Sequence, residues 1–441
     1  MRKILIITNC LPPVCGSGTY RTLKFIKYLP SLNWQPVVLT ESERYYEKKD
    51  FTVVGEIPDC TMIFKTLIFR PFKTIFYLKK QIKSYFMPDK LPLSKEIEYK
   101  REKHKIRQLI VEYFSFLDNY LGWIPFALFK GLYIVRKYRI EYIYSTSPSP
   151  ITHVIALLLN RITGISWVAD FRDPWMFLKS KKGNNAKFLI KLEKKLEAKV
   201  VENSKKVICN TVKLQEKFRE VYSNCEPNKF VYIPNGFDPD DYKKLEKKAI
   251  LFQEFTITHT GEFYQEGRTP NRILKAASEL IKEGKIGKDK IKFLLVGSGE
   301  YSESMEFKNF LKEEELEGVV ELLFHVPHLV SIAYLFRSSL LLLLQPGKEF
   351  SMQVPAKAFE YAYVRKPIIT VAPEGATSDF IKSMNAGVVV DPDDIDSMKK
   401  ILMDFYEKHE LRKLNKIPWN PKLNKFNRKN LTRNLVKLLV E

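Results

Sequence analysis

Short runs of β-branched and leucine residues recur along the chain, separated by longer stretches in which apolar positions return every three or four residues. A brief run that is apolar throughout suits a strand buried on both faces, and its alternation with helical stretches is the mark of parallel βαβ units. The pattern predicts strands at Ile4 to Thr8, Pro36 to Leu39, Tyr142 to Tyr144, Ser166 to Ala169, Lys206 to Cys209 and Phe230 to Ile233. After the turn signal Pro234-Asn235-Gly236 a second series follows at Phe255 to His259, Lys292 to Val296, Val320 to Phe324, Leu340 to Leu344, Ile368 to Val371 and Ala386 to Val390. The fold class expected is therefore α/β, with two doubly wound Rossmann-like domains. The first spans 1–235 and the second 236–419, and a final helix at 430–441 is expected to complete the first domain.

One segment breaks the alternation. Glu41 to Tyr138 is about twice as long as one crossover requires, which places an insertion at about 45–130. Within it, Thr61 to Met87 carries six Lys or Arg, seven aromatics and no acid. Such a composition predicts two short helices lying in a membrane interface on either side of Pro71. Phe64, Phe69, Phe72 and Phe76 would enter the acyl boundary, with Arg70, Lys73, Lys79 and Lys80 at headgroups. A helical hairpin that buries the same aromatics is the alternative.

Composition narrows the setting. A formal net charge of +22 favours phosphates, nucleic acid or an anionic membrane face as partners. Five cysteines with no metal-type spacing fit a reduced, cytoplasmic compartment, and no apolar run is long enough to predict a membrane span. The apolar start, Ile4 to Ile7, reads as a strand rather than a signal peptide.

Candidate chemistry gathers at predicted strand ends, where doubly wound sheets place ligands. After the first strand, Gly16 and Gly18 precede a helix, but Arg21 stands where a dinucleotide fingerprint has its third glycine. Asp170, Arg172 and Asp173 follow another strand. Three charges there are costly unless something uses them, although an Asp170/Arg172 ion pair and an Asp173 N-cap also account for them. In the second half Gly261, Arg268, Gly297 and Gly299 sit at successive strand ends and together suit a diphosphate. Lys357 and Glu360 lie one turn apart on a proline-initiated helix. Glu360 suits a ribose diol, and an exposed Lys357/Glu360 pair is the bland alternative. No Ser/His/Asp order, third ligand beside His325 and His328, or paired-acid motif after a strand is visible, so no metal or other cofactor is expected.

Taken in order, PPVCGSGTYR, GWIPFALFKG, YSTSPSP, VADFRDPW, YIPNGFD, HTGEFYQEGRTP, FLLVGSGE and VPAKAFEYAYVRKPII resemble the retaining glycosyltransferases of family four. The likeness runs from Met1 to about Asp394 apart from the aromatic insertion. It implies the GT-B fold, two domains facing a cleft, and a cytoplasmic enzyme peripheral to the inner membrane face. Such an enzyme moves a sugar from a nucleotide diphosphate sugar to a glycan or lipid-linked acceptor in cell-surface polysaccharide synthesis. Carried over by position, Glu360 would hold the ribose, Arg268 the diphosphate, and Gly16 would approach the donor from the first domain. His325 to Pro327 would border the base, and Asp170, Arg172 and Asp173 would face the reacting sugar. Stabilising the leaving group is the main chemical demand. It is expected of Arg268, the Gly297/Gly299 loop and the amides around Ser351, Gln353 and Val354, with Gly18, Gly261 and Lys357 completing the donor site. The chain departs from the family pattern at Met352, where a glutamate is usual, at Glu262, where a base is usual, and at Arg172, where a histidine is common. The rival readings are a basic nucleic-acid-binding protein and an inactive scaffold on the same fold. Without a recognisable nucleic-acid module, no nucleic-acid partner is expected.

Overall fold

The computed structural model describes residues 1–42, 48–69, 120–173, 175–176, 187–246, 250–263, 268–297, 299–345 and 347–441. Among these residues, thirteen strands form two parallel sheets. The first holds β1 (Arg2–Ile7), β2 (Trp34–Glu41), β3 (Met62–Thr66), β4 (Tyr142–Thr146), β5 (Ser166–Phe171), β6 (Lys206–Cys209) and β7 (Phe230–Tyr232), in the order β3-β2-β1-β4-β5-β6-β7. The second holds β8 (Phe255–Thr260), β9 (Ile291–Val296), β10 (Val320–Leu323), β11 (Leu340–Leu344), β12 (Ile368–Val371) and β13 (Gly387–Val390), in the order β10-β9-β8-β11-β12-β13. The order reverses direction between β1 and β4 and between β8 and β11, so a crevice opens above the carboxyl ends at each point.

The unbroken apolar strands follow from helices on both faces of each sheet. In β11, Leu340, Leu342 and Leu344 join one core and Leu341 and Leu343 the other. In β1, Leu5 and Ile7 face one core and Ile4 and Ile6 the opposite one. Each such side chain contributes roughly 1.5–3 kcal/mol on burial. The last helix, Arg428–Val440, sets Leu431, Leu435, Leu438 and Leu439 into the core of Ile4 and Ile6, returning the chain to the first sheet. Where it passes the connection between the sheets, Phe237 N donates to Phe426 O, and a Cβ on Gly236 would lie 2.0 Å from that carbonyl. Only glycine allows the two backbones to pass this closely.

The structure corrects the interfacial-helix expectation at its start. Met62–Thr66 is a parallel edge strand on β2, and Phe64 is half-buried against Tyr138 at 5.4 Å rather than turned to lipid. A five-residue strand leaves too faint an alternation to stand out from the aromatic and basic run around it. Phe69 is exposed, while Arg70, Phe72, Lys73, Phe76, Lys79 and Lys80 lie outside the described residues. Among the described residues, no helix is long and apolar enough to cross a membrane.

Candidate active site

The carboxyl ends of β8 and β11 bring two cations together. His259 of β8 is fully buried, and its Nδ1 donates to Leu342 O at 2.8 Å. Its Nε2 is then the acceptor of the neutral ring and takes a hydrogen bond from Lys357 Nζ at 3.1 Å. Lys357 reaches there because Gly261, at φ +107°, has no side chain: a Cβ would lie 2.5 Å from Nζ. Burial first, then the Arg268 charge, hold the Lys357 pKa well below the usual lysine range. Burial and Lys357 likewise keep His259 neutral. Arg268 Nη2 donates to Gln345 Oε1 at 2.5 Å, beyond the end of β11, and its guanidinium lies 5.6 Å from the Phe350 ring centroid. The first turn of the Ala356–Val364 helix has no side-chain cap, so its positive end adds to this field.

Several amides expected to hold a diphosphate are already engaged. Gly297 N donates to Leu323 O, Ser351 N to Lys348 O and Gln353 N to Phe350 O. These residues shape the cradle instead. Gly297, at φ +83°, packs against Gly261, and Gly299 adjoins the Glu262 side chain. Val354 is buried, and its carbonyl accepts from Asn235 Nδ2.

Glu360 turns away from Lys357, which removes the surface-pair reading. Its Oε1 lies 3.7 Å from His328 Nε2, and burial raises its pKa. His328 stacks on Tyr20 of the first domain with ring centroids 4.1 Å apart, and its backbone N donates to Asp50 Oδ2 at 2.9 Å. Tyr20 OH donates to the same carboxylate oxygen at 3.3 Å. Nearby, Cys15 Sγ lies 3.5 Å from His325 Nε2, and Lys48 forms an ion pair with Glu262. The loops after β1 and β10 therefore close one side of the crevice. Lys48 also supplies a base from the first domain where the second has Glu262. Neither Asp50 nor Lys48 carries a motif that would have singled it out.

On the facing edge, Gly16 takes φ +136° and begins the Ser17–Tyr28 helix without a side-chain cap. Arg172 donates from Nη1 to Ser17 Oγ at 2.8 Å, and its Nη2 pairs with Asp173. The close packing of Nη1 on Gly18, 3.0 Å from a Cβ placed there, explains that glycine. Asp173 N donates to Ser147 Oγ, and Asn210 Nδ2 donates to Arg172 O, so the tips of β4, β5 and β6 fix this pair. Asp170 departs from its expected place beside the sugar. It is fully buried and accepts from Arg21 Nε at 2.7 Å, Arg21 Nη2 at 2.9 Å, Tyr144 OH and Thr146 Oγ1. Arg21 in turn donates to the carbonyls of Ile233 and Pro234, so this buried group positions the interdomain connection.

Two family models match the chain: Glycosyltransferase Family 4 over residues 92–241 and Glycosyl transferases group 1 over residues 244–416. The chain is a family-four glycosyltransferase. Its GT-B architecture is shared with sucrose-phosphate synthase from Thermosynechococcus elongatus, at 12% identity and TM-score 0.64 over 99% of this enzyme and 98% of that chain. Anabaena Alr3699/HepE, solved in complex with UDP-glucose, is 14% identical with TM-score 0.61 over 100% of both chains. The lipopolysaccharide outer core galactosyltransferase WaaB is 11% identical with TM-score 0.58 over 99% of both. No curated protein matches the sequence of this enzyme.

The enzyme also holds a charge cluster between the Ser17–Tyr28 helix and the Pro239–Glu246 helix. Lys24 Nζ lies 2.5 Å from Asp241, 2.6 Å from Glu56 and 3.0 Å from Asp238, and Lys27 Nζ lies 2.8 Å from Asp238. Among the described residues, Glu56, Asp238 and Asp241 are the one group of three side chains with metal-ligand geometry. The Lys24 ammonium occupies the centre of that group and supplies the charge a metal would bring.

Proposed function

We propose that the enzyme transfers a sugar from a UDP-sugar, with retention, to a glycan or lipid-linked acceptor of cell-surface polysaccharide synthesis at a membrane face. The observation carrying this reading is the Lys357/Arg268 cation pair at the crevice of the second sheet, with Glu360 one turn along the same helix. A nucleoside diphosphate matches that spacing of chemistry: ribose hydroxyls donate to the Glu360 carboxylate, and the diphosphate meets the two cations and the helix N-terminus. Lys357 and Arg268 stabilise the leaving UDP as the glycosidic bond breaks. The acceptor hydroxyl attacks from the leaving-group face and passes its proton to the departing phosphate oxygen. Arg172 and Asp173, fixed across the cleft, orient the acceptor. Uracil as the base is supported by the UDP-glucose complex of HepE. The charge of +22 supports a membrane-associated acceptor.

Release of nucleoside diphosphate from UDP-, GDP- and ADP-sugars tests the reading. UDP is expected from a UDP-sugar, and Arg268→Ala and Glu360→Ala should each lower its release more than tenfold. Release within about threefold of wild type in both variants refutes the assignment. UDP binding without turnover of any sugar nucleotide favours the scaffold.

A further inference from the structure

The helix Ile124–Tyr138 presents two unlike faces. Ala127, Gly131, Ile134 and Val135 are buried, and Gly131 lets the Leu159 side chain close to 2.8 Å from where its Cβ would stand. The outward face is aromatic and basic. Phe129 is 76% exposed, Tyr133 44% and Phe126 40%, at the i, i+3, i+7 spacing of one helical stripe. Lys130 Nζ lies 4.7 Å from the Tyr133 ring centroid, and Lys137 Nζ donates to Tyr133 OH at 2.6 Å. Leu67, 65% exposed, continues the patch, and with Thr66, Phe126, Phe129, Lys130 and Tyr133 it lines a concavity of about 370 Å³. From Tyr120 to Ile140 there is no acidic residue, whereas Lys130, Arg136, Lys137 and Arg139 are basic.

We propose that this face is the surface by which the enzyme sits on an anionic membrane. The inference rests on the membrane-acceptor reading above and centres it on the Ile124–Tyr138 helix, with only Thr66 and Leu67 drawn from the expected Phe64 to Lys80 stretch. The aromatic rings suit the acyl boundary, and the acid-free ring of lysines and arginines matches the negative charge of lipid headgroups. An exposed aromatic stripe of this extent is uncommon on a surface that faces only water. Its place agrees with the chemistry. Leu67 follows the carboxyl end of β3, and in a parallel sheet this is the edge that carries Arg172 and Asp173. A sugar acceptor held at the membrane by a lipid would thus meet the first domain on its reactive side.

Flotation of the full chain with vesicles of phosphatidylcholine, alone and mixed with phosphatidylglycerol, tests the proposal. Wild type should float with the mixed vesicles only. The variants Phe126→Ser/Phe129→Ser/Tyr133→Ser and Lys130→Glu/Arg136→Glu/Lys137→Glu should each bind more than tenfold more weakly, with unchanged hydrolysis of a soluble UDP-sugar. The unchanged hydrolysis also shows that the variants fold. In an independent test, tryptophan emission from Phe129→Trp should shift to the blue on mixed vesicles relative to wild type. Wild-type flotation by both triple variants, equal binding to both vesicle types, or concentration-dependent self-association through this face would overturn the proposal. Vesicle binding with no turnover of any sugar nucleotide would overturn the enzymatic reading and leave the surface standing. Turnover with no vesicle binding would remove the surface alone.

Discussion

Lys357 is a half-buried amine whose hydrogen bond goes to a neutral imidazole, with the Arg268 charge nearby, so an anion is what its surroundings call for. A bound diphosphate would raise its depressed pKa toward the ordinary lysine range. Between the free and the bound pKa, UDP binding should therefore take up a proton, and affinity should fall as pH rises through that window. Calorimetry in two buffers of different ionisation enthalpy should detect the uptake in wild type and none in Lys357→Met. Equal uptake in both would assign the proton elsewhere. How readable each residue was depended on its place relative to a strand tip. The helix that carries Glu360 was legible from its proline start ahead of a strand, whereas the turn of Glu360 toward His328 was not. Asp170 and Asp173 share one motif yet have opposite surroundings. Asp170 still belongs to β5 and turns into the core, whereas Asp173 lies beyond the strand end. Sequence spacing alone does not locate the last strand residue that closely.

The Ser17–Tyr28 helix is joined to the Pro239–Glu246 helix and the residue before it by Lys24, Lys27, Tyr28, Asp238 and Asp241. Burial works to raise the Asp238 pKa, but Lys24 foremost, with hydrogen bonds from Lys27 and Tyr28, holds it down at about 2. A carboxylate depressed from 3.8 contributes stability above its unfolded pKa that is lost as pH falls through the folded value. Asp238→Asn should accordingly lower stability at pH 7 by about 2 kcal/mol, and its deficit should narrow between about pH 4 and 2. Asp241 behaves in the opposite sense. Burial raises its pKa to about 6 despite Lys24, so its term favours the folded state as pH falls toward 6 and below. Denaturant midpoints of wild type and Asp238→Asn at several pH values check the sign. An undiminished deficit at low pH would mean that the carboxylate does not stabilise this junction. At this scale long apolar strands were plain in the sequence, because both faces are buried. The short edge strand β3 was hidden, since its side chains alternate for only five residues within an aromatic and basic run.

Across the whole molecule, two parallel sheets turn their carboxyl edges to one crevice, and the chain crosses between them at Gly236 and again before its last helix. The division into two α/β halves could be read from the alternation of strands and helices. The contacts across the crevice could not, because Tyr20 with His328, Lys24 with Asp241 and Lys48 with Glu262 join residues hundreds of positions apart and follow no local period. These contacts hold the two domains together at the crevice. The proposed function depends most on the diphosphate meeting Lys357 and Arg268. Its most direct test is the affinity of UDP against UMP for wild type and Lys357→Met, measured at constant pH and ionic strength. Wild type should bind UDP at least tenfold more tightly than UMP, and most of that preference should vanish in the variant. Equal affinity of wild type for the two nucleotides, or a preference unchanged in Lys357→Met, would contradict it.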